Sequence, residues 1–152
     1  MLKSIFILLL FVISIKSYAS WEDYKKKTLQ QTISENSEIL NQADIYYTPG
    51  IPQLVFATYT GKKRVITEDR EKVIRGWVKV IGQQPEIADL FLIEIAFEEN
   101  GKTHWLPVQK PLIAYLEKEL TLGEKVSLYA VWVGTTKKEW VFVVNEFKKI
   151  NR

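Results

Sequence analysis

The sequence of 152 residues contains no cysteine. Thiol nucleophiles, thiolate metal sites and disulfide bonds are therefore excluded, and the fold must be stabilised by its core alone. A lipid anchor attached to an N-terminal cysteine is excluded for the same reason.

Histidine is almost as scarce, since His104 is the single one. A catalytic triad or a zinc cluster would have to use it, and no Gly-x-Ser-x-Gly elbow, EF-hand loop or phosphate-binding glycine loop is present. Glu94 and Glu98 fall on one face of a predicted strand about 13 Å apart, too far for the carboxylate pair of a glycosidase. The sequence therefore favours a non-enzymatic protein without metal or cofactor, and a small carboxylate-dependent hydrolase is the alternative.

Residues 1–19 have the pattern of a secretory signal peptide. Lys3 precedes an apolar run over residues 5–15, and Ser17 and Ala19 are the small residues expected before a cleavage site. We expect cleavage after Ala19 and a periplasmic or secreted protein with no membrane anchor. Loss of the two lysines of this segment leaves 19 basic and 18 acidic residues, so charge gives no argument for a general polyanion-binding role.

The strongest local signal is a hairpin at Asn100 and Gly101. Asn-Gly supplies the two positive-φ residues of a type I′ turn, so the preceding and following strands should pair across it. This register pairs Phe97 with His104 and Ile95 with Leu106, and it places their side chains on the core face.

The preceding part of the chain, residues 20–72, predicts a helix and a smaller hairpin packed on the rest. The pattern over residues 21–43 is helical, with an apolar face that includes Trp21. Residues 54–59 and 64–67 are β-rich on both sides of Gly61 and predict a second hairpin.

Residues 73–152 predict a β domain with one helix. Its expected elements are a first strand Val73–Ile81 with a bulge at Gly76, the two hairpin strands, a helix from Leu112 to about Leu120, and strands Val126–Val133 and Glu139–Phe147. This order resembles the OB-fold, a five-stranded Greek-key barrel whose helix lies between strands three and four. Exported bacterial proteins with this barrel are similar to the chain in element order. We therefore expect a mainly β fold with an N-terminal helical and hairpin extension. The alternative is an α+β roll, with a helix packed across a curved antiparallel sheet.

The candidate site follows from that resemblance. The outer face of an OB barrel, with its adjacent loops, commonly binds oligosaccharides or oligonucleotides. The expected ligand-binding residues on that face and at its border are Arg75, Trp77, Lys79, Trp105, Lys137, Lys138 and Trp140. The alternative is that the N-terminal segment, through Trp21, covers these tryptophans and makes them structural.

Three functions remain open. The first is an exported non-enzymatic module that binds an envelope ligand, which would be an oligosaccharide, a peptide or a partner protein. The second is a structural or accessory subunit of an envelope assembly, and the third is the hydrolase mentioned above. Export makes nucleic acid an unexpected physiological partner.

Overall fold

A strand of 21 residues, β2 (Ile45–Val65), is the centre of the fold in the computed structural model. The structure describes residues 20–150, so the predicted signal peptide lies outside the described residues. The first part of β2, up to Thr58, pairs antiparallel with β5 (Lys125–Thr136). Its last part, from Thr58 onward, pairs antiparallel with β3 (Ile93–Glu99), so one long strand serves two neighbours.

The remaining strands complete a mainly antiparallel sheet with the order β4-β3-β2-β5-β6. They are β1 (Lys25–Lys26), which pairs in parallel with β2, β4 (Lys102–Pro107) and β6 (Trp140–Lys149). No continuous ladder joins β4 to β6 within residues 20–150. One parallel bridge, Val108 with Val144, brings the two ends together, and Gln109 N donates to Val144 O at 3.0 Å.

Within residues 20–150, three α-helices pack on this sheet: α1 (Leu29–Glu35), α2 (Glu68–Val80) and α3 (Lys110–Glu119). Helix α3 lies between β4 and β5, where the OB-type order places its helix. The mainly β class is therefore confirmed. In the part of the chain that the structure describes, the sheet does not close through a continuous ladder, whereas the sequence predicted a fully closed barrel.

The predicted first barrel strand, Val73–Ile81, is wrong because these residues belong to helix α2 and its C-cap. Their apolar positions fit a helical period as well as an alternating one, and the residues that the helix buries are Val73, Ile74, Trp77 and Val78. Thr67 caps the helix by accepting from Arg70 N, and three acidic residues in the first turn favour the same end. The sheet instead takes its central strand from β2, which lies before position 72.

Two further predictions in the N-terminal half are also wrong in detail. The hairpin expected around Gly61 does not form, because β2 continues through that residue. Gly61 has a φ of +73° and lies at the irregularity between Tyr59 and Lys63 in the ladder with β3. The helix expected over residues 21–43 is reduced to α1, with 3-10 turns at Trp21–Asp23 and Ser37–Asn41.

The Asn-Gly hairpin is confirmed. Asn100 and Gly101 have φ values of 49° and 79°, and the ladder pairs Phe97 with His104 as expected. A local turn signal was sufficient here because a two-residue loop fixes the register of both strands.

Two buried clusters lie on opposite faces of the sheet. An inner cluster, which includes Phe97, Trp132 and Phe142, fills the curve of the sheet together with α1 and α3. An outer cluster, which includes Trp77 and Phe91, lies between β5, β6, α2 and the 3-10 helix Pro85–Phe91. This explains why β5 and β6 are apolar at consecutive positions. None of the helices in residues 20–150 is long and apolar enough to span a bilayer.

Candidate ligand-binding face

The predicted residues of helix α2 do not form an exposed aromatic surface. Trp77 is only 8% exposed and belongs to the outer cluster, and its Nε1 has no hydrogen-bond partner among the described residues. Arg75 lies on the solvent side of α2 and pairs with Glu71 and Asp89 at 2.8 and 2.9 Å. Lys79 is exposed near the end of the helix.

The other predicted residues lie on β4 and at the β5–β6 turn. Trp105 is half-buried on β4, away from Trp77 on the helix. Trp140 stacks on Trp132 with ring centroids 5.4 Å apart. Lys137, at the neighbouring turn, pairs with Asp44 at 2.7 Å, and Lys138 is exposed. The predicted set is therefore divided among three places.

Trp21, the residue expected to cover the tryptophans, packs elsewhere. Its ring meets Tyr129 edge-on at 4.7 Å, and Tyr24 meets the same tyrosine at 5.3 Å. Trp77 points from α2 into the outer cluster, and Tyr24 of the N-terminal segment also packs against that cluster.

A network of charged side chains that the sequence did not predict surrounds Trp105. We call it the Arg64–Trp105 face and define it as Arg64, Arg70, Glu94, Trp105 and Glu139. The residues come from β2, α2, β3, β4 and the turn between β5 and β6. Separate elements thus converge on one side of the sheet.

Arg64 is the exposed centre of this face. Its guanidinium lies over the Trp105 ring, 4.0 Å from the centroid, and its Nε donates to Glu94 Oε2 at 2.8 Å. The side chain keeps 39% of its surface exposed. One edge of the guanidinium is fixed, and the other remains available to solvent or a ligand.

Glu94 and Arg70 form the more buried part of this network. The Glu94 carboxylate is fully buried and accepts from both arginines, with Arg70 Nη1 at 2.9 Å from Oε1. Arg70 Nη2 also pairs with Glu139 Oε2 at 2.8 Å. A buried carboxylate needs such partners because desolvation without them is costly. The network therefore holds Arg64 in one orientation.

The strand register explains why these residues meet. Arg64 is directly opposite Glu94 in the β2–β3 ladder, and Ala96, two residues further on, is opposite Trp105. Glu94 and Ala96 share a sheet face because side chains alternate along a strand. Trp105 therefore lies on the same sheet face as Glu94.

This face can recognise an anion. A guanidinium held by stacking and by a carboxylate presents parallel donors that match a carboxylate, sulfate or phosphate. Within residues 20–150, no group of three potential ligands could hold a metal ion. His104 lies opposite Phe97 on the inner side, where burial lowers the pKa of its imidazole.

No protein-family model matches the chain, and no curated protein matches it in sequence.

Proposed function

We propose that this chain is an exported, non-enzymatic binding module. Its Arg64–Trp105 face binds an acidic oligosaccharide of the cell envelope. The observation that carries the proposal is the state of Arg64. Its Nε is bonded to buried Glu94 and its plane lies on Trp105, while 39% of the side chain remains exposed. Recognition then costs little side-chain entropy, because the guanidinium is already ordered.

The place of the face in the fold supports this proposal. Ligands of OB-type proteins commonly lie across strands two and three and the neighbouring loops. Arg64, Glu94 and Trp105 occupy three consecutive strands, β2, β3 and β4. Glu139, next to Lys137 and Lys138 in the β5–β6 turn, pairs with Arg70, which attaches this turn to the face.

The type of ligand follows from the two exposed groups. Arg64 supplies donors for a carboxylate. Its guanidinium covers one face of the Trp105 indole, so the carbon side of a sugar ring would contact only the part of the indole that Arg64 leaves exposed. An acidic sugar combines both features in one unit. A protein partner with an exposed carboxylate would use the same donor, but it would not need the saccharide.

The test is calorimetric titration with a galacturonic acid hexamer and, for comparison, a neutral glucan hexamer of equal length. We expect binding of the acidic hexamer alone, with a loss of about tenfold or more in Arg64→Lys and in Trp105→Leu. Arg64→Lys keeps the charge beside Glu94 but lacks the planar donor pair. Lys62→Gln is the matched control, since Lys62 is an exposed cation on the same strand.

Equal affinity of Arg64→Lys and the wild type would contradict the proposal, as would equal affinity for the two hexamers. Thermal unfolding of each variant shows whether a loss of binding reflects a loss of structure. If neither hexamer binds but an envelope protein co-purifies and is lost in Arg64→Lys, the accessory-subunit alternative replaces the oligosaccharide proposal.

A further inference from the structure

A second surface lies at the other part of β2, away from Arg64. Phe56, Ser127 and Ile150 form its centre, and Lys26, Lys125 and Lys148 surround it; we call this set the Phe56 patch. An open recess of about 600 Å³ is lined by Phe56, Lys125, Ser127, Lys148, Lys149 and Ile150.

Strand pairing brings these residues together. Phe56 on β2 is opposite Ser127 on β5, which is opposite Lys148 on β6. On the other side of β2, Lys26 of β1 is the ladder partner of Leu54. Its ammonium lies over the Phe56 ring, 4.8 Å from the centroid. Because Ser127 is small, the floor of the recess lies lower than its aromatic and cationic walls.

The lysines of the patch differ in their ion pairs. Lys26, Lys125 and Lys148 are exposed and form no ion pair with a described residue, whereas Lys149 pairs with Glu124 at 3.3 Å. Three cations around one recess favour an anionic partner.

Apolar side chains are exposed within the same surface. Phe56 is 41% exposed and Ile150 is 38% exposed. Trp21, at 46%, packs on Tyr129, which lies two residues from Ser127 on the same face of β5. Aromatic and aliphatic groups among lysines are the combination found where proteins meet the headgroup region of a bilayer.

We propose that the Phe56 patch docks the protein on a membrane that contains anionic phospholipids. The position of Lys26 disfavours a nucleic acid, because its ammonium lies over the Phe56 ring, on which a base would have to stack. The lysines are separate point charges without the planar donor pair of arginine, which suits a fluid array of headgroups. Docking is peripheral and independent of the Arg64–Trp105 face.

The expected strength follows from the charge count. A lysine near an anionic bilayer contributes about 1 kcal/mol, which corresponds to about a fivefold change in partitioning. Neutralising all three lysines should therefore weaken binding by roughly a hundredfold. Raised salt should weaken it as well, because exposed charges are screened.

The test is co-sedimentation with vesicles of phosphatidylcholine containing 30% phosphatidylglycerol, compared with pure phosphatidylcholine. The full chain is produced in an exporting bacterial host, and its mass shows whether residues 1–19 are present. The test variant is the triple Lys26→Gln, Lys125→Gln, Lys148→Gln. The matched control, Lys79→Gln, Lys110→Gln, Lys118→Gln, removes the same charge from exposed positions elsewhere.

We expect binding to the anionic vesicles alone, the large loss in the test variant and little change in the control. Phe56→Ser should weaken binding at unchanged charge. Equal losses in both triple variants, or equal binding to neutral vesicles, would overturn the proposal. Binding of a single-stranded oligonucleotide without binding to anionic vesicles would also overturn it.

Discussion

Arg70 and Glu94 form an ion pair, with Arg70 Nη1 2.9 Å from Glu94 Oε1, although the Glu94 side chain is completely buried. The second oxygen of the carboxylate is bonded by Arg64, and the second Nη of Arg70 reaches Glu139. The pair therefore connects the start of helix α2 to β3 and to the β5–β6 turn. It fixes the segment between β2 and β3, which contains helix α2, against the sheet.

Arg70→Met should destabilise the protein by about 3 kcal/mol, because it leaves the buried Glu94 carboxylate with one cation instead of two. Urea unfolding followed by tryptophan fluorescence measures the change. Arg75→Met on the same helix is the control, since Arg75 makes exposed ion pairs that contribute at most about 1 kcal/mol. Similar losses in the two variants would show that the burial of Glu94 is not what makes Arg70 important.

The parts of the fold that were predicted correctly depend on local chemistry. Asn100 and Gly101 determine the hairpin register by themselves, because their positive φ values specify the turn. Helix α3 begins with Lys110 and Pro111, where proline's fixed φ is favourable, and the sequence placed its start within two residues.

Helix α2 was predicted wrongly although its sequence contains a start signal. Thr67 followed by Glu68, Asp69 and Glu71 is a typical helix N-terminus. The alternation around Gly76 suggested a strand instead. Its glycine was interpreted as a bulge, whereas its actual role is to leave space for Tyr47.

The charged network could not be predicted from spacing along the chain. Arg64 and Glu94 are 30 residues apart, and their contact depends on the β2–β3 register, which the wrong hairpin around Gly61 had hidden. That hairpin would have ended the strand near Gly61, whereas β2 continues through Arg64. The hairpin register alone predicts Trp105 on the outer face. It does not predict that Arg64 lies over the Trp105 ring.

Gly76→Ala should destabilise the protein by about 1 kcal/mol or more, although alanine is the better helix former. A methyl group at this position would overlap the Tyr47 hydroxyl, and overpacking commonly costs about 1–3 kcal/mol. In a Tyr47→Ser background the overlap is removed, so the same substitution should stabilise by up to about 1 kcal/mol. Chemical denaturation of the four proteins measures both effects. The same sign in both backgrounds would contradict the assigned role of Gly76.

His104 should make stability depend on pH. Burial lowers the pKa of the imidazole in the folded chain, whereas an unfolded histidine titrates near about 6.5. The unfolded state therefore takes up the proton first, and the free energy of unfolding should fall as the pH is lowered from about 7 through the lowered pKa. Urea unfolding at several pH values measures this slope, which should disappear in His104→Gln. An unchanged slope in that variant would assign the effect to other groups.

Glu99 should stabilise helix α1 and also influence His104. Its buried carboxylate accepts from Leu29 N at 3.0 Å and from Gln30 N at 3.3 Å, so it lies at the positive end of the helix. Glu99→Gln removes this charge and should cost about 1 kcal/mol in the free energy of unfolding. The same charge raises the pKa of His104 against the effect of burial, so NMR titration of the variant should show that pKa lowered further. Glu98→Gln, on the exposed side of the same strand, is the control and should change neither quantity appreciably. An unchanged His104 titration in Glu99→Gln would show that the two side chains do not interact across the sheet.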